Sequence, residues 1–384
     1  MRSHFLLLLL CIVALALSSH PRALPSLSVY AETHFDLGFQ IGSVFKQPFV
    51  EYVSSNSALK SKYLPFVKST EEGKRIYSNL LNAAVTNFSP YIEELLGLAN
   101  STGVPFDVIF VLSIQPELGL LMQKPDLFVR DCTDILGCSE SGCFFAHNED
   151  NSAGIAKYSF WLYATLNITD TSTKSHIIRS YSSLSYPLSL FGSAFGMNSL
   201  GLTYSMNAVF PEIKPENTKH AVPRYFLNRR LAECGSLDEV KEVLDSMLPC
   251  ASGFAMNIMD ATGLAYNVEI ALHTYNVHAI EKDETYYHVN MLRHISSDEV
   301  PQYVDPSSVH RLARLEALHP TSFAEAISAL GDEQDAEYPI FRQGTTVDHD
   351  ITLATATMNV EGNVMDLYRA NPVTSHPLIA IPRL

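Results

Sequence analysis

The chain has 384 residues, 47% of them hydrophobic and 17% charged, with no low-complexity stretch, which is enough to bury one large core or two smaller ones. Its formal charge of −15, from 41 acidic against 26 basic residues, excludes nucleic acid and anionic membrane as natural partners, since both would repel it.

The opening run MRSHFLLLLLCIVALALSS has a short basic start, an apolar stretch from Phe5 to Leu17 and small residues at Ala14, Ala16 and Ser18. This pattern predicts a secretory signal peptide over residues 1–18, because the apolar stretch is shorter than the roughly 20 residues of a membrane span. The remainder is expected to be secreted or lysosomal, without a membrane partner. Sequons at Asn87, Asn100 and Asn167 fit glycosylation in that compartment.

Up to about residue 118 the apolar spacing is helical. Leu37, Ile41, Val44 and Phe45 fall on one face, Ser89 with Pro90 reads as an N-cap and first turn, and Ile92, Leu95, Leu96 and Ala99 continue that helix. A further helix is expected after Pro105. From Cys132 the period becomes that of strands: CTDILGC and CFFAHNED flank a Ser/Gly turn, and YSFWLYATLNI, SHIIRSYSS, GLTYSMNAV, GFAMNIMDATGLAYNVEIAL, YYHVNML and ITLATATMNVEGNVMDLYRA follow. Two helices interrupt them, beginning at Ser236 and Ser322, each with a glutamate three residues on as in a capping box. The class is α+β, with sheets between helical layers.

Of six cysteines, Cys11 departs with the signal, leaving five. An odd number is explained by a free Cys132 and two disulfides among Cys138, Cys143, Cys234 and Cys250; three pairings are open, with Cys138–Cys143 across the short turn the first expected. The spacings lack paired CxxC, so no metal is expected. Taken alone, Cys132 reads as half of a disulfide. If the backbone breaks between Asp131 and Cys132, however, thiol and α-amine share one residue, and the amine can serve as the thiol's base. An α-amine titrates near about 8 and a thiol near about 8.5, so small shifts make the pair competent at neutral pH.

Several runs, in this order, resemble the acyl-coenzyme A:6-aminopenicillanic acid acyltransferase family of N-terminal nucleophile hydrolases: FDLGFQIGSVF, PYIEELLGLANSTGVPFDVIFVLSIQPEL, CT with HNED ending eighteen positions on, GMNSLGLTYSMNA, HVN at His288 to Asn290, and YPIFR at Tyr338 to Arg342. The resemblance spans nearly the whole mature chain. It implies a four-layer αββα sandwich with an N-terminal helical segment, self-cleavage before Cys132, and two chains, 19–131 and 132–384, that stay associated. It also implies catalytic roles: Cys132 as nucleophile, Asp150 orienting the freed amine, Asn290 donating to the tetrahedral oxyanion, Asn207 sharing that work, and Arg342 supplying positive charge near the aspartate. Read without the resemblance, these asparagines are turn residues, Asp150 a cap and Arg342 a surface ion pair.

Two positions depart from the family pattern. Asp131 stands where relatives often have glycine, and His147 where they often carry arginine or glutamine, a position expected near the substrate entrance. The activity implied is hydrolysis of the amide bond of small N-acyl amines, N-β-alanyl amines foremost, through an acyl-enzyme on Cys132 and without a cofactor. Alternatives are an acyl-coenzyme A-dependent N-acyltransferase and a non-processed secreted binding protein of the same fold.

Overall fold

The computed structural model describes residues 24–124, 132–140, 142–169, 176–359 and 363–384; the expected signal peptide and Asp131 lie outside them. Ahead of Cys132 come strand β1 (Ser26–Ala31) and helices α1 (His34–Val44), α2 (Lys46–Ser55), α3 (Leu64–Ser69), α4 (Glu71–Asn87), α5 (Ser89–Thr102), α6 (Phe106–Ser113) and α7 (Gln115–Leu121). Helices α1 and α5 touch backbone to backbone. A Cβ on Gly38 would lie 1.9 Å from the Glu94 carbonyl oxygen and one on Gly97 2.1 Å from that of Phe35, so both positions need glycine. Leu37, Ile41 and Phe45 are buried as the spacing predicts, but Val44 and Leu96 are exposed at 36% and 41%. The α5 cap is Phe88 and not Ser89, one residue earlier than expected.

Two sheets make the centre. The first, of eight strands, runs in the order β1, β4 (Phe160–Thr169), β5 (His176–Ser185), β6 (Phe195–Asn198), β7 (Thr203–Ala208), β9 (Gly253–Met259), β10 (Ala265–Ala271) and β11 (Thr274–Ala279). In the second, of six, the order is β12 (Thr285–His288), β2 (Cys132–Ser139), β3 (Gly142–Ser152), β14 (Asp350–Asn359), β15 (Val364–Tyr368) and β16 (Ile379–Pro382). A short pair, β8 (Phe210–Pro211) with β13 (Gln302–Tyr303), stands apart. Helices α8 (Ala153–Ala156), α9 (Arg224–Leu231), α10 (Leu237–Met247), α11 (Pro306–Leu318) and α12 (Phe323–Leu330) complete the described chain.

Strand alternation sets the layers. On β2 and β3, Leu136 and Phe145 join the large core facing the first sheet, whereas Ile135, Phe144 and Ala146 pack with Leu315 of α11 and Ala326, Ala329 and Leu330 of α12. The first sheet is backed by the N-terminal helices with α9 and α10, through contacts such as Phe45 on Phe160 and Phe88 on Phe226. The arrangement is the expected four-layer αββα sandwich. Ser236 and Ser322 cap α10 and α12, and at Ser322 both bonds of the capping box form.

Cys138 and Cys143 are bonded across the β2–β3 turn. The second expected disulfide does not form: Cys234 and Cys250 are free and buried. Cys234 packs at the end of α9 with its sulfur against Arg230, 3.6 Å from Nη1, and both thiols act as small core side chains. Among the described residues no helix is long and apolar enough to cross a membrane. Asn87 and Asn100 are exposed, while Asn167 is half-buried on β4 with its Nδ2 donating to Tyr30 Oη at 2.6 Å.

Candidate functional site

Cys132 is the first residue of β2 and is 1% exposed. Three of its atoms meet polar partners. Its backbone N–H donates to Asn290 Oδ1 at 2.9 Å, its carbonyl oxygen accepts from Arg311 Nη1 at 2.7 Å, and its sulfur lies 3.7 Å from Glu149 Oε2. Arg311 also donates from Nη2 to Asn290 Oδ1 at 2.8 Å and from Nη1 to Thr133 Oγ1 at 2.7 Å. Two donors converging on one side-chain atom of Asn290 identify that atom as the oxygen, since neither can accept. The amide nitrogen accordingly faces away, donating to the Ala208 carbonyl at 3.0 Å.

Cys132 pairs with Glu149 across the β2–β3 ladder, so the thiol shares the inward face with Asp134, His147 and Glu149. His147 Nδ1 lies 3.0 Å from both oxygens of Asp134, and Nε2 lies 3.1 Å from Glu149 Oε2. Ser205 donates to Asp134 Oδ1 at 2.5 Å, and Tyr186 to Glu149 Oε1 at 2.5 Å. Burial opposes a charged imidazole here, but Asp134 and Glu149 on either side raise His147 to about 10, so it is an imidazolium at neutral pH. His147, expected beside the substrate entrance, is instead fully buried, because its place in the strand alternation turns it into the sandwich. The Cys132 thiol is pushed well above its usual range, first by burial and then by Glu149, Asp150 and Asp134; a backbone N–H of Asp150 works the other way.

Asp150 is the next residue along β3 and therefore points to the opposite face. There it lies 3.9 Å from Arg342 Nη1. Arg342 is 3% exposed, grips Asp348 with Nε (2.7 Å) and Nη2, and passes 3.5 Å from Asp350. The guanidinium thus stands near Asp150 with most of its charge already matched. Arg342 also borders a cleft of about 330 Å³ walled by Phe210, Tyr303 and Tyr338 together with Asp305, Asp348 and Asp350. A larger cleft of about 620 Å³ lies between β4, β5, α9 and α10, away from Cys132.

Asn207, on β7, ends a run of three buried amides. Tyr286 Oη donates to Asn267 Oδ1 (3.3 Å), Asn267 Nδ2 to Asn257 Oδ1 (2.7 Å), and Asn257 Nδ2 to Asn207 Oδ1 (2.7 Å). The run is directional and ends on Asn207 Nδ2, a buried donor without a partner among the described residues. Asn207 lies two residues past Ser205, which touches Asp134, and next to Ala208, whose carbonyl holds Asn290, so it sits on the strand segment that meets the residues around Cys132. Arg311, Asp134, Asn257 and Asn267 were not singled out by sequence, and Glu149 was seen only as a letter of HNED. The strand register alone carries the signal for Glu149.

The acyl-coenzyme A:6-aminopenicillanic acid acyl-transferase family matches this chain over residues 138–374, a stretch that holds His147, Asp150, Asn207, Asn290 and Arg342 and begins six residues after Cys132. The beta-alanyl-dopamine/carcinine hydrolase of Drosophila melanogaster is 25% identical over 373 residues, covering 92% of this chain and 94% of that protein. Among solved structures, a variant of conjugated bile acid hydrolase from Clostridium perfringens aligns with 15% identity and a TM-score of 0.39, over 62% of this chain and 89% of that one. Penicillin V acylase from Agrobacterium tumefaciens aligns with 11% identity and a TM-score of 0.35, over 62% and 83% respectively.

Proposed function

The chain belongs to the acyl-coenzyme A:6-aminopenicillanic acid acyl-transferase family, and from that premise we propose that it is a self-processed cysteine amidohydrolase of the secretory pathway, acting first on N-β-alanyl amines. The coarser statement, an amidohydrolase or acyltransferase of the N-terminal nucleophile type acting on N-acyl amines, follows from family membership and the related hydrolase.

The observation that carries the finer reading is the bond from the Cys132 nitrogen to Asn290 Oδ1 at 2.9 Å. Cleavage after Asp131 would turn that nitrogen into an α-amine already held on a fixed acceptor, one bond from the carbon bearing the nucleophile's side chain. In turnover the amine takes the thiol proton and the sulfur attacks the substrate's amide carbonyl. The carbonyl electrons move to oxygen, and the unpartnered Nδ2 of Asn207 meets that developing charge. Asn290 keeps the amine in place. The resulting ammonium then protonates the departing amine, the C–N bond breaks, and water releases the acyl group from sulfur; a second amine in place of water gives acyl transfer. Asp150, backed by Arg342, steadies the ammonium form.

Two features support the substrate. The Drosophila relative is by name a hydrolase of beta-alanyl-dopamine and carcinine. The cleft beside Arg342 combines three aromatic walls with three aspartates, a lining suited to ligands that carry an ammonium group. Exposed sequons at Asn87 and Asn100 and the leading apolar run support the secretory route.

Denaturing electrophoresis with N-terminal sequencing tests the reading. Active protein should show two fragments, the second starting Cys-Thr-Asp, and Cys132→Ala should remain one chain that does not hydrolyse N-β-alanyl-dopamine. A single intact chain with full activity, or turnover by Cys132→Ala, would refute it.

A further inference from the structure

We propose that Cys132, His147 and Glu149 form a binding site for one zinc-like divalent ion, and that filling it blocks the nucleophile. Among the described residues this is a grouping in which a cysteine sulfur, an imidazole nitrogen and a carboxylate oxygen all lie within 4.8 Å of one another, every one buried. The sulfur is 3.7 Å from Glu149 Oε2, which is 3.1 Å from His147 Nε2. A tetrahedral zinc ion at its usual ligand distances of about 2.0–2.3 Å spaces nitrogen and oxygen ligands about 3.4 Å apart, and sulfur and oxygen about 3.6 Å. The two spacings to Glu149 Oε2 stand within a few tenths of an ångström of those values before any ion arrives, and the sulfur and the imidazole nitrogen lie within 4.8 Å of each other.

Each ligand is also aimed by a partner behind it. Asp134 holds His147 Nδ1, which leaves Nε2 to face the thiol, and Ser205 fixes Asp134 in turn. Tyr186 occupies Glu149 Oε1 and leaves Oε2 inward. A carboxylate behind a ligating imidazole is the support that zinc sites generally use. A histidine between two carboxylates is otherwise an ordinary buried salt bridge; the thiol as third party makes it a ligand set.

The exchange balances. The ion brings two positive charges, and the Cys132 thiol and the His147 imidazolium each lose one proton to solvent, so Cys132, Asp134, His147 and Glu149 with the ion counted keep the one net negative charge they had without it. Sulfur bound to the metal shares one lone pair with it, and the withdrawn charge and the ion's bulk hold it from attack on a carbonyl. The block is reversible by a chelator, and it does not depend on Cys132 having been freed from Asp131.

The test uses the full-length protein, stripped with chelator and titrated with Co²⁺. One equivalent should produce a sulfur-to-cobalt charge-transfer band in the near ultraviolet and visible bands of tetrahedral intensity, all removed by Zn²⁺. His147→Gln and Glu149→Gln should each weaken binding by more than the roughly 10–100-fold expected for losing a supporting partner, and Cys132→Ser should abolish the charge-transfer band. No band at one equivalent, or wild-type affinity in both the His147 and Glu149 variants, overturns the proposal. Should those variants fail to fold, the wild-type protein decides alone: one equivalent of Zn²⁺ should raise its melting temperature, and an unchanged value overturns the site.

Discussion

Asn257 donates its side-chain N–H to Asn207 Oδ1 at 2.7 Å, and this one bond decides which end of the Asn207 amide is left to donate. With the oxygen engaged, the nitrogen is left as a preset donor, and the two linked amides behind Asn207 polarise it in the same direction.

Replacing Asn207 with alanine should therefore lower kcat by about 10²–10³-fold, the cost of one oxyanion donor. Asn257→Ala leaves the donor in place but frees its orientation, and should give a smaller loss in kcat with KM little changed. Steady-state kinetics on an N-β-alanyl amine separate the two, and equal kcat in wild type and Asn207→Ala would remove Asn207 from the oxyanion site.

Arg311 is fully buried and its guanidinium joins the Cys132 carbonyl, Thr133, Asn290 and Ser307. Arg311→Met leaves at least the Cys132 carbonyl without its charged donor, at about 1–3 kcal/mol for an unsatisfied buried acceptor. Thermal melts should show a drop of several degrees. Arg311→Lys should recover part of the stability but not the kcat, because an ammonium cannot hold Cys132 and Asn290 in one plane.

Glu117, on α7, is buried, accepts the Arg224 N–H at 2.6 Å, and is raised by that burial from 4.5 to about 7. A raised carboxyl contributes stability that is complete below about 4.5 and is lost as pH climbs through about 7. Urea unfolding should accordingly show less stability at pH 7.5 than at pH 5, with about 2 kcal/mol of the difference from Glu117. His147, raised to about 10, adds a loss of the same sign. Glu117→Gln should flatten the Glu117 part; an unchanged pH dependence in that variant would reject it.

The Cys138–Cys143 bridge closes a loop of sequence separation 5. On the chain-entropy account so short a loop is worth about 2 kcal/mol. The double variant Cys138→Ser, Cys143→Ser should fold and lose about that much in denaturant unfolding, while single serine variants leave one thiol free for intermolecular exchange.

Periodicity carried the layers: the helical leader, the strands after Cys132, and the capped helices at Ser236 and Ser322 are all legible because each rests on local spacing. What escaped depends on pairing between distant segments. Arg311 looks like any polar position on an amphipathic helix, yet α11 carries it 179 residues along the chain to the Cys132 carbonyl. Glu149 and Asp150 are neighbours in sequence and face opposite layers, so only the register shows that Glu149 has the thiol and Asp150 has Arg342. Counting cysteines predicted a second bridge, but a cysteine's burial among apolar side chains is not written in its spacing, and Cys234 and Cys250 remain thiols. The same limit hid the grouping of Cys132, His147 and Glu149, which no linear metal pattern contains.

Strand β1 pairs in parallel with β4, and Glu94 and Tyr91 reach Arg229 and Glu233 across the proposed break point. Severing the backbone ahead of Cys132 would therefore liberate nothing: the leader is a structural plank of the catalytic sandwich, interlocked by hydrogen bonds that no protease step touches. Pulled away by denaturant, it would strip the β4 edge bare and take Glu94 from the buried Arg229, leaving Glu233 as its one acidic partner among the described residues, so neither piece is built to stand by itself.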